Sequence, residues 1–497
     1  MTPHHLPILI VVIHLISSFI VPLLGWWRRE AAFFIALAAV AGSFVCSAGV
    51  LAAVLHQGTI HYRLGGWEPP WGIELVIDHL NAYMAVLVSS ISLVVAIYSR
   101  KSVEHEIPER FVHFYCIFLL LATGLLGMVV TGDMFNLYVF LEIASISAYA
   151  LIAVGEDGAP MASFNYIILG TIGASFYLLG VGYLYIMTGS LNMADLSRLL
   201  PDLYNSTVIR VAFAFFVIGL GLKIALFPLH VWLPDAYTYA PSAVSAFIAP
   251  LMTKVGAYAL IRIMFTVYEP RFSFELLPFA SILSVMAAVA IIVGSVLAIA
   301  QSDLKRMLAY SSVSQIGYIV LGVALGNRPA IIGAYLHILN HALMKGCLFM
   351  VAGSLMLRVG MRDIFRLQGV HRTMPWTMGA FVIAALSMIG IPPTAGFFSK
   401  WYLILGTIQE RQWVMTAVIL VSSLLNAVYF FRVIENAYFE PRYAHDGGDP
   451  QADVNNGEAP AGMLLPTLIM AAAIILVGLA SGKIIEGVLQ FAVPGNF

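Results

Sequence analysis

The sequence predicts an all-α, polytopic membrane protein of about 14 transmembrane helices, and three observations carry that prediction. Of the 497 residues, 61% are apolar and only 10% are charged, a composition of membrane proteins. The apolar residues gather in runs of about 20, the length an α-helix needs to cross a hydrocarbon core. The polar stretches between those runs are all too short to form a soluble domain.

Taken in order, the runs lie near 5–25, 31–55 and 78–99, then 112–131, 134–154, 161–187, 208–229 and 241–266. They continue near 276–300, 306–326, 330–357, 376–397, 412–438 and 463–490. The first lacks a basic start and a small-residue cleavage site, so it reads as a retained span and not a signal sequence. The longest polar connection, Glu440 to Gly462, is acidic and rich in Gly and Pro, and reads as a surface loop without a catalytic role. Lys and Arg favour the connections after odd-numbered spans, among them Arg28, Arg29, Arg100, Lys101, Lys305, Arg306, Arg358 and Arg432. Those after even-numbered spans carry roughly half as many, which puts the odd loops in the cytoplasm and both termini outside.

Several function classes drop out. Net charge is −1 with no basic tract, so no nucleic-acid partner is expected. Cys46, Cys116 and Cys347 stand singly in apolar runs, without the spacing of a zinc or iron–sulfur site. No phosphate-binding or dinucleotide-binding glycine fingerprint is present, so the chain itself is expected to carry no cofactor. The expectation is a membrane transporter component and not an enzyme.

Two segments echo each other. In LKIALFPLHVWLPDAY (seventh span) and LSMIGIPPTAGFFSKWY (twelfth span) an apolar run meets proline near its middle, with a lysine and aromatics close by. Matching helices five spans apart face opposite ways, as in inverted-topology repeats. The repeats are assigned to spans 4–8 (111–266) and 9–13 (267–440), after a three-span segment (1–110) and before the acidic loop and last span (441–497). Pro228 and the pair Pro392–Pro393 each remove a backbone donor, so each helix should open there onto a hydrated pocket.

Ionisable groups inside the predicted spans are few: Glu142, Lys223, Lys254, the trio His337, His341 and Lys345, and Lys400 closing the twelfth span. Each costs a few kcal/mol or more at mid-bilayer unless paired or hydrated. Taken singly, interhelical hydrogen bonding accounts for each as well as function does, and Lys400, near a span end, also suits snorkelling. The trio recurs at i, i+4 and i+8, along one helix stripe. Zinc could use the two histidines, but the next ligand position is a lysine and no acidic group completes a site, so no metal is expected. Proton transfer fits the inventory: burial weakens a lysine's hold on its proton, a facing carboxylate restores it, and imidazole titrates near neutrality. His230, just past Pro228, is a further candidate link, with a structural role equally open.

The segments LKIALFPLHVWLPDAY, APSAVSAFIAPLMTKVGAYAL, DLKRMLAYSSVSQIGYI, HILNHALMKG and GIPPTAGFFSK together resemble the proton-conducting antiporter-like subunits shared by respiratory complex I, membrane-bound hydrogenases and Mrp-type monovalent cation/proton antiporters. The resemblance covers roughly residues 75–440. It implies 14 helices with two inverted five-helix repeats, each holding one broken helix. It also implies that Glu142 and Lys223 are the fifth- and seventh-helix pair, and Lys254 the eighth-helix connection. By the same resemblance His337, His341 and Lys345 are the eleventh-helix relay and Lys400 the twelfth-helix terminal residue, with entry near Lys223 and exit near Lys400. In one complex I member the twelfth-helix position is glutamate, so Lys400 argues against that member, and Gly65 to Leu87 resembles most the D-type subunits of the Mrp antiporters together with their close relatives in hydrogenase-type complexes. The implied setting is a bacterial or archaeal cell membrane. The implied partners are other hydrophobic subunits, including a homologous antiporter-like subunit alongside, with protons and Na+ as the ions exchanged by the complex. A hydrogenase-type or complex I-like proton pump, and a structural scaffold with an inactive relay, are the rival expectations.

Overall fold

The structure, a computed structural model, describes residues 5–155, 157–439 and 457–495. Most of the acidic connection read from the sequence, 440–456, lies outside the described residues. Twelve helices are long and apolar enough to cross a membrane, and two broken spans bring the number to fourteen among the described residues. In chain order the first six are α1 (Leu6–Gly25), α2 (Arg29–Gln57), α3 (His79–Glu106), α4 (Phe111–Val130), α5 (Met134–Ala153) and α6 (Ala159–Thr188). The broken seventh span is α7a (Thr207–Lys223) and α7b (Trp232–Tyr239), followed by α8 (Ser242–Arg262), α9 (Phe279–Ile299), α10 (Leu304–Leu325) and α11 (Arg328–Val359). The broken twelfth span is α12a (Pro375–Ile389) and α12b (Ala395–Gln409), and α13 (Trp413–Tyr438) and α14 (Ala461–Ile484) complete the set.

Helix starts follow local chemistry. Asp78, Asp133, Asp303 and Asn327 precede α3, α5, α10 and α11, and each side chain accepts a hydrogen bond from an N–H of the first turn, satisfying donors the helix leaves unpaired. At the centre stands α8, all 21 of whose residues are buried, so it has no lipid face at all. It packs against α7a on one side and α11 on the other, and α11 in turn packs on α10 and α12b. The charged residues of the sequence are threaded through this inner layer.

In secondary structure the chain departs from the sequence reading in two places. A short antiparallel hairpin, β1 (Ile60–Arg63) with β2 (Glu74–Ile77), fills the connection before α3, with Ile60 opposite Ile77. Both broken spans also run further than their apolar cores. The seventh reaches Tyr239 and the twelfth Gln409, because a second half-helix resumes after each break, where polar residues end the hydropathy signal.

Candidate functional site

α7a ends on Lys223, whose ammonium Nζ donates to Ser145 Oγ at 2.7 Å, Tyr149 OH at 3.3 Å and Glu142 Oε1 at 3.4 Å. The three partners sit at i, i+3 and i+7 on α5, one face of one helix. The Lys223 side chain is 6% exposed and that of Glu142 22%, so the carboxylate is the member of the pair that reaches the edge of the chain. Beyond Lys223 the helix is open from Ile224 to Val231, with Ala225 in the left-handed region at φ 56°. The carbonyls freed there are taken by protein donors: Leu226 N–H bonds Gly221 O, and the indole of Trp232 bonds Leu222 O at 2.8 Å. The break therefore begins immediately after Lys223, earlier than Pro228 alone would place it. A groove beside it is lined by Arg210, Phe213, Leu226, Leu229 and Phe279. His230 stacks on Phe227 at 5.1 Å, and its Nδ1 has no hydrogen-bond partner among the described residues.

Lys254 lies mid-way along α8 and is fully buried; its Nζ donates to Ala249 O at 2.6 Å and Thr253 Oγ1 at 3.3 Å. On the facing helix, α11, the stripe His337, His341 and Lys345 is also fully buried. Lys345 donates to Leu308 O at 2.6 Å and Ser311 Oγ at 2.5 Å, both on α10. His337 is held from two sides, with Nε2 hydrogen-bonded to Gln315 Oε1 at 3.0 Å and Nδ1 to Ser399 Oγ at 2.9 Å. His341 stacks on His337 at 5.9 Å, yet neither of its ring nitrogens has a partner among the described residues. Lys254 is within electrostatic range of His337, His341 and Lys345. A buried imidazole left without hydrogen bonds is costly, and this one stands between two lysines.

Lys400 is placed differently from the sequence reading. It does not close the twelfth span but lies in the second turn of α12b, and it does not snorkel. Its side chain turns back over the break, donating to Met388 O at 2.9 Å and Ile389 O at 3.0 Å, the last carbonyls of α12a, and to Ser423 Oγ at 3.0 Å. A cation at a helix C-terminus meets the negative end of the helix dipole. The two broken spans thus use their lysines from opposite sides in sequence: Lys223 ends the first half-helix, and Lys400 reaches back from the second.

Three charged groups escaped the sequence reading: Arg262, its partner Asp78, and Lys305. Arg262, two turns beyond Lys254 on α8, donates to Asp78 Oδ1 at 2.5 Å, to Tyr258 OH at 3.1 Å and to Asn81 Oδ1. Burial pushes the Asp78 carboxyl up, but the Arg262 guanidinium and the N–H groups of Leu80 and Asn81 outweigh it and hold it below the ordinary aspartate range. The signal was present in VIDHLNAY, an Asp at a helix start with Asn three residues on. Lys305, counted from sequence among the loop charges, is buried, with Nζ donating to Ala240 O at 2.6 Å.

The chain is similar to proteins of known families. The family described as NADH:quinone oxidoreductase/Mrp antiporter, TM, matches residues 131–426. Over 497 residues the chain is 51% identical to the NADH-quinone oxidoreductase subunit N of Desulforudis audaxviator (strain MP104C), covering 99% of each chain. Over 458 residues it is 33% identical to the D subunit of the Na(+)/H(+) antiporter of Alkalihalophilus pseudofirmus (strain OF4), covering 91% of this chain and 90% of that one. In a solved structure of the Mrp complex from Dietzia sp. DQ12-45-1b, one chain superposes with a TM-score of 0.90 at 25% identity, covering 99% of this chain and 97% of that chain.

Proposed function

Because the chain belongs to the NADH:quinone oxidoreductase/Mrp antiporter transmembrane family, we propose that it is the proton-translocating subunit of a multi-subunit monovalent cation/proton antiporter. Protons move along Lys223, Lys254, His341, His337, Lys345 and Lys400, with Glu142 as the group that controls the first lysine. One observation carries this reading: every lysine of the row touches at least one hydroxyl. The partners are Ser145 and Tyr149 for Lys223, Thr253 for Lys254, Ser311 for Lys345 and Ser423 for Lys400. A hydroxyl accepts from an ammonium and, by rotating its proton, donates to a neutral amine. Such a site serves a lysine in both protonation states, which a lysine held only by carboxylates or only by carbonyls is not offered.

Glu142 is the one carboxylate paired with this row among the described residues. Its partial exposure suits a side chain that turns from Lys223 toward a neighbouring subunit, and that movement withdraws the charge that holds the Lys223 proton. Between Lys223 and Lys254 stand Tyr149 and Tyr166, whose rings meet edge-on at 4.6 Å, and Tyr237, which lies beside Thr253. They offer hydroxyls across the interval. His341, without fixed partners among the described residues, is the group free to take a proton from Lys254 and yield it to either side. We assign the inverted repeats to 111–266 and 267–440, supported by the packing of α6 on both halves of the broken seventh span and of α11 on both halves of the broken twelfth. The Lys/Arg bias of the loops supports both termini outside. The partners are other hydrophobic subunits, including a homologous antiporter-like subunit alongside.

A second reading is favoured by the identity to the Desulforudis oxidoreductase subunit: the same proton path coupled to electron transfer in a complex I-like assembly. Purification of the native complex separates the two. The antiporter reading expects only membrane subunits and Na+-driven proton movement in proteoliposomes. Iron–sulfur subunits in the complex, with proton movement that requires electron donors, would replace it by the redox-driven reading.

A further inference from the structure

Where the C-terminus of α3 meets the N-termini of α8 and α10, the structure holds a cavity of about 170 Å³. This is the cytoplasmic face in the orientation proposed above. Glu106, Lys305, Arg362, His105, Asp157 and Tyr239 are among its lining residues. None of them belongs to the row of lysines and histidines, yet the cavity is tied to that row twice.

The first tie runs along α10. Lys305 is 3% exposed, donates to Ala240 O, and lies within electrostatic range of Glu106. One turn further in, Leu308 O accepts from Lys345, so the floor of the cavity is about 5 Å of helix rise from the groups that hold Lys345. The second tie runs along α3, where Tyr98, Ser102 and Glu106 share a stripe at i, i+4 and i+8. The Glu106 carboxylate accepts from Ser102 Oγ at 3.0 Å and from the N–H of Ser242, at the head of α8, at 2.8 Å. Tyr98 donates to Met350 O on α11, five residues beyond Lys345. Gly353 keeps this column open: a Cβ there would stand 2.2 Å from Tyr98 OH and 2.6 Å from Ser242 Cβ. Glu106 serves the first N–H of α8 and Lys305 a carbonyl at the end of α7b, tasks that a neutral amide or hydroxyl also performs, so a full charge of each sign at the mouth of a polar cavity, one turn from the middle of the row, is more than these contacts require.

We propose that this cavity is a proton port that exchanges protons with Lys345 directly, so that the row is served at its centre as well as at Lys223. The proposal rests on the proton-conducting reading of the row. In the inward direction Glu106 takes one proton from water and becomes a neutral carboxylic acid, which no longer holds the ammonium of Lys305. Lys305 gives its proton to neutral Lys345 and is reprotonated by the Glu106 carboxylic acid. One proton has entered, one has reached Lys345, and the carboxylate is restored; the outward direction is the reverse. The groups that face this exchange are His105 and Glu106 from α3, Asp157 from the α5–α6 connection, and Tyr239 from α7b. Asp303 and Lys305 at the head of α10, Arg362 beyond α11 and Tyr98 complete the set. Arg362 is paired with Asp303 at 3.3 Å.

The test uses the whole complex in proteoliposomes. Glu106→Gln preserves size and an acceptor for the Ser242 N–H but cannot carry the proton. The expected result is at least a tenfold fall in the transport rate, a pH–rate profile that has lost one ionisation, and partial recovery in Glu106→Asp. Wild-type rate and profile in Glu106→Gln, with Glu142→Gln and Lys223→Ala inactive, would overturn the port and leave the row standing. Wild-type rates in all three would overturn both. If the glutamine variant does not assemble, Lys305→Met reads the same step: a comparable fall supports the port, and an unchanged rate and pH profile overturn it.

Discussion

Replacing Glu142 by Gln removes a charge from the Lys223 site and little else. The amide keeps the size of the carboxylate and can still accept from the ammonium, while Ser145 and Tyr149 remain in place at 2.7 and 3.3 Å. What is lost is the attraction of two unit charges 3.4 Å apart, about 5 kcal/mol at an effective dielectric near 20. That is the free energy by which Glu142 alters the proton affinity of Lys223 when it turns toward the lysine or away. Even a third of it, about 1.6 kcal/mol, is worth more than a factor of ten in occupancy. Cation-driven acidification in proteoliposomes holding the complete complex should therefore fall more than tenfold, with subunit composition unchanged. A Glu142→Gln complex that assembles and transports at the wild-type rate would refute the reasoning, because Lys223 would then cycle without its paired carboxylate.

Other outcomes follow from the same geometry. Lys400→Met leaves Ile389 O without its donor at the broken twelfth helix, while Asn426 still serves Met388 O; transport should be lost, and thermal unfolding should report a destabilisation of about 1–3 kcal/mol. Gly396 stands where a Cβ would lie 1.9 Å from Ser387 O, so Gly396→Ala must push α12b from α12a, costing about 1–3 kcal/mol or more and lowering the yield of assembled complex. Asp78, held below the ordinary aspartate value of 3.8 by Arg262 against the opposing effect of burial, contributes stability that is present above that value and lost as pH falls through its lower folded-state value. Acid titration of stability should therefore show a loss at the acid end in the wild type that is absent from Asp78→Asn, which begins less stable.

The spans were legible because a lipid core demands about 20 consecutive apolar residues and tolerates little else. The same demand exposed Glu142, Lys223, Lys254, His337, His341 and Lys345, since a charge amid Leu and Ile has no cheap explanation. Legibility failed where that contrast fades. α7b, Trp232–Tyr239, and most of α12b follow a break and carry polar residues, so hydropathy ends the seventh and twelfth spans early and makes Lys400 a span terminus. Lys305 and Arg262 lie near span ends, where a basic residue reads as a loop or interface group, and only packing shows that both are held inside. The hairpin at Ile60–Arg63 and Glu74–Ile77 has strands of four residues, too short for alternation to register, and its pairing is a long-range property. That proline breaks would be closed by an indole at Leu222 O and an ammonium at Met388 O was likewise beyond the reach of local pattern.

The central claim is that protons cross the molecule through the buried row, and Lys254 stands in that row on a helix with no exposed residue. The decisive measurement is cation-driven proton movement by the complex carrying Lys254→Met in proteoliposomes, with assembly verified by subunit composition. The account predicts loss of transport with the complex intact. Transport at the wild-type rate through an assembled Lys254→Met complex would contradict it, because no proton could then be passing along this row.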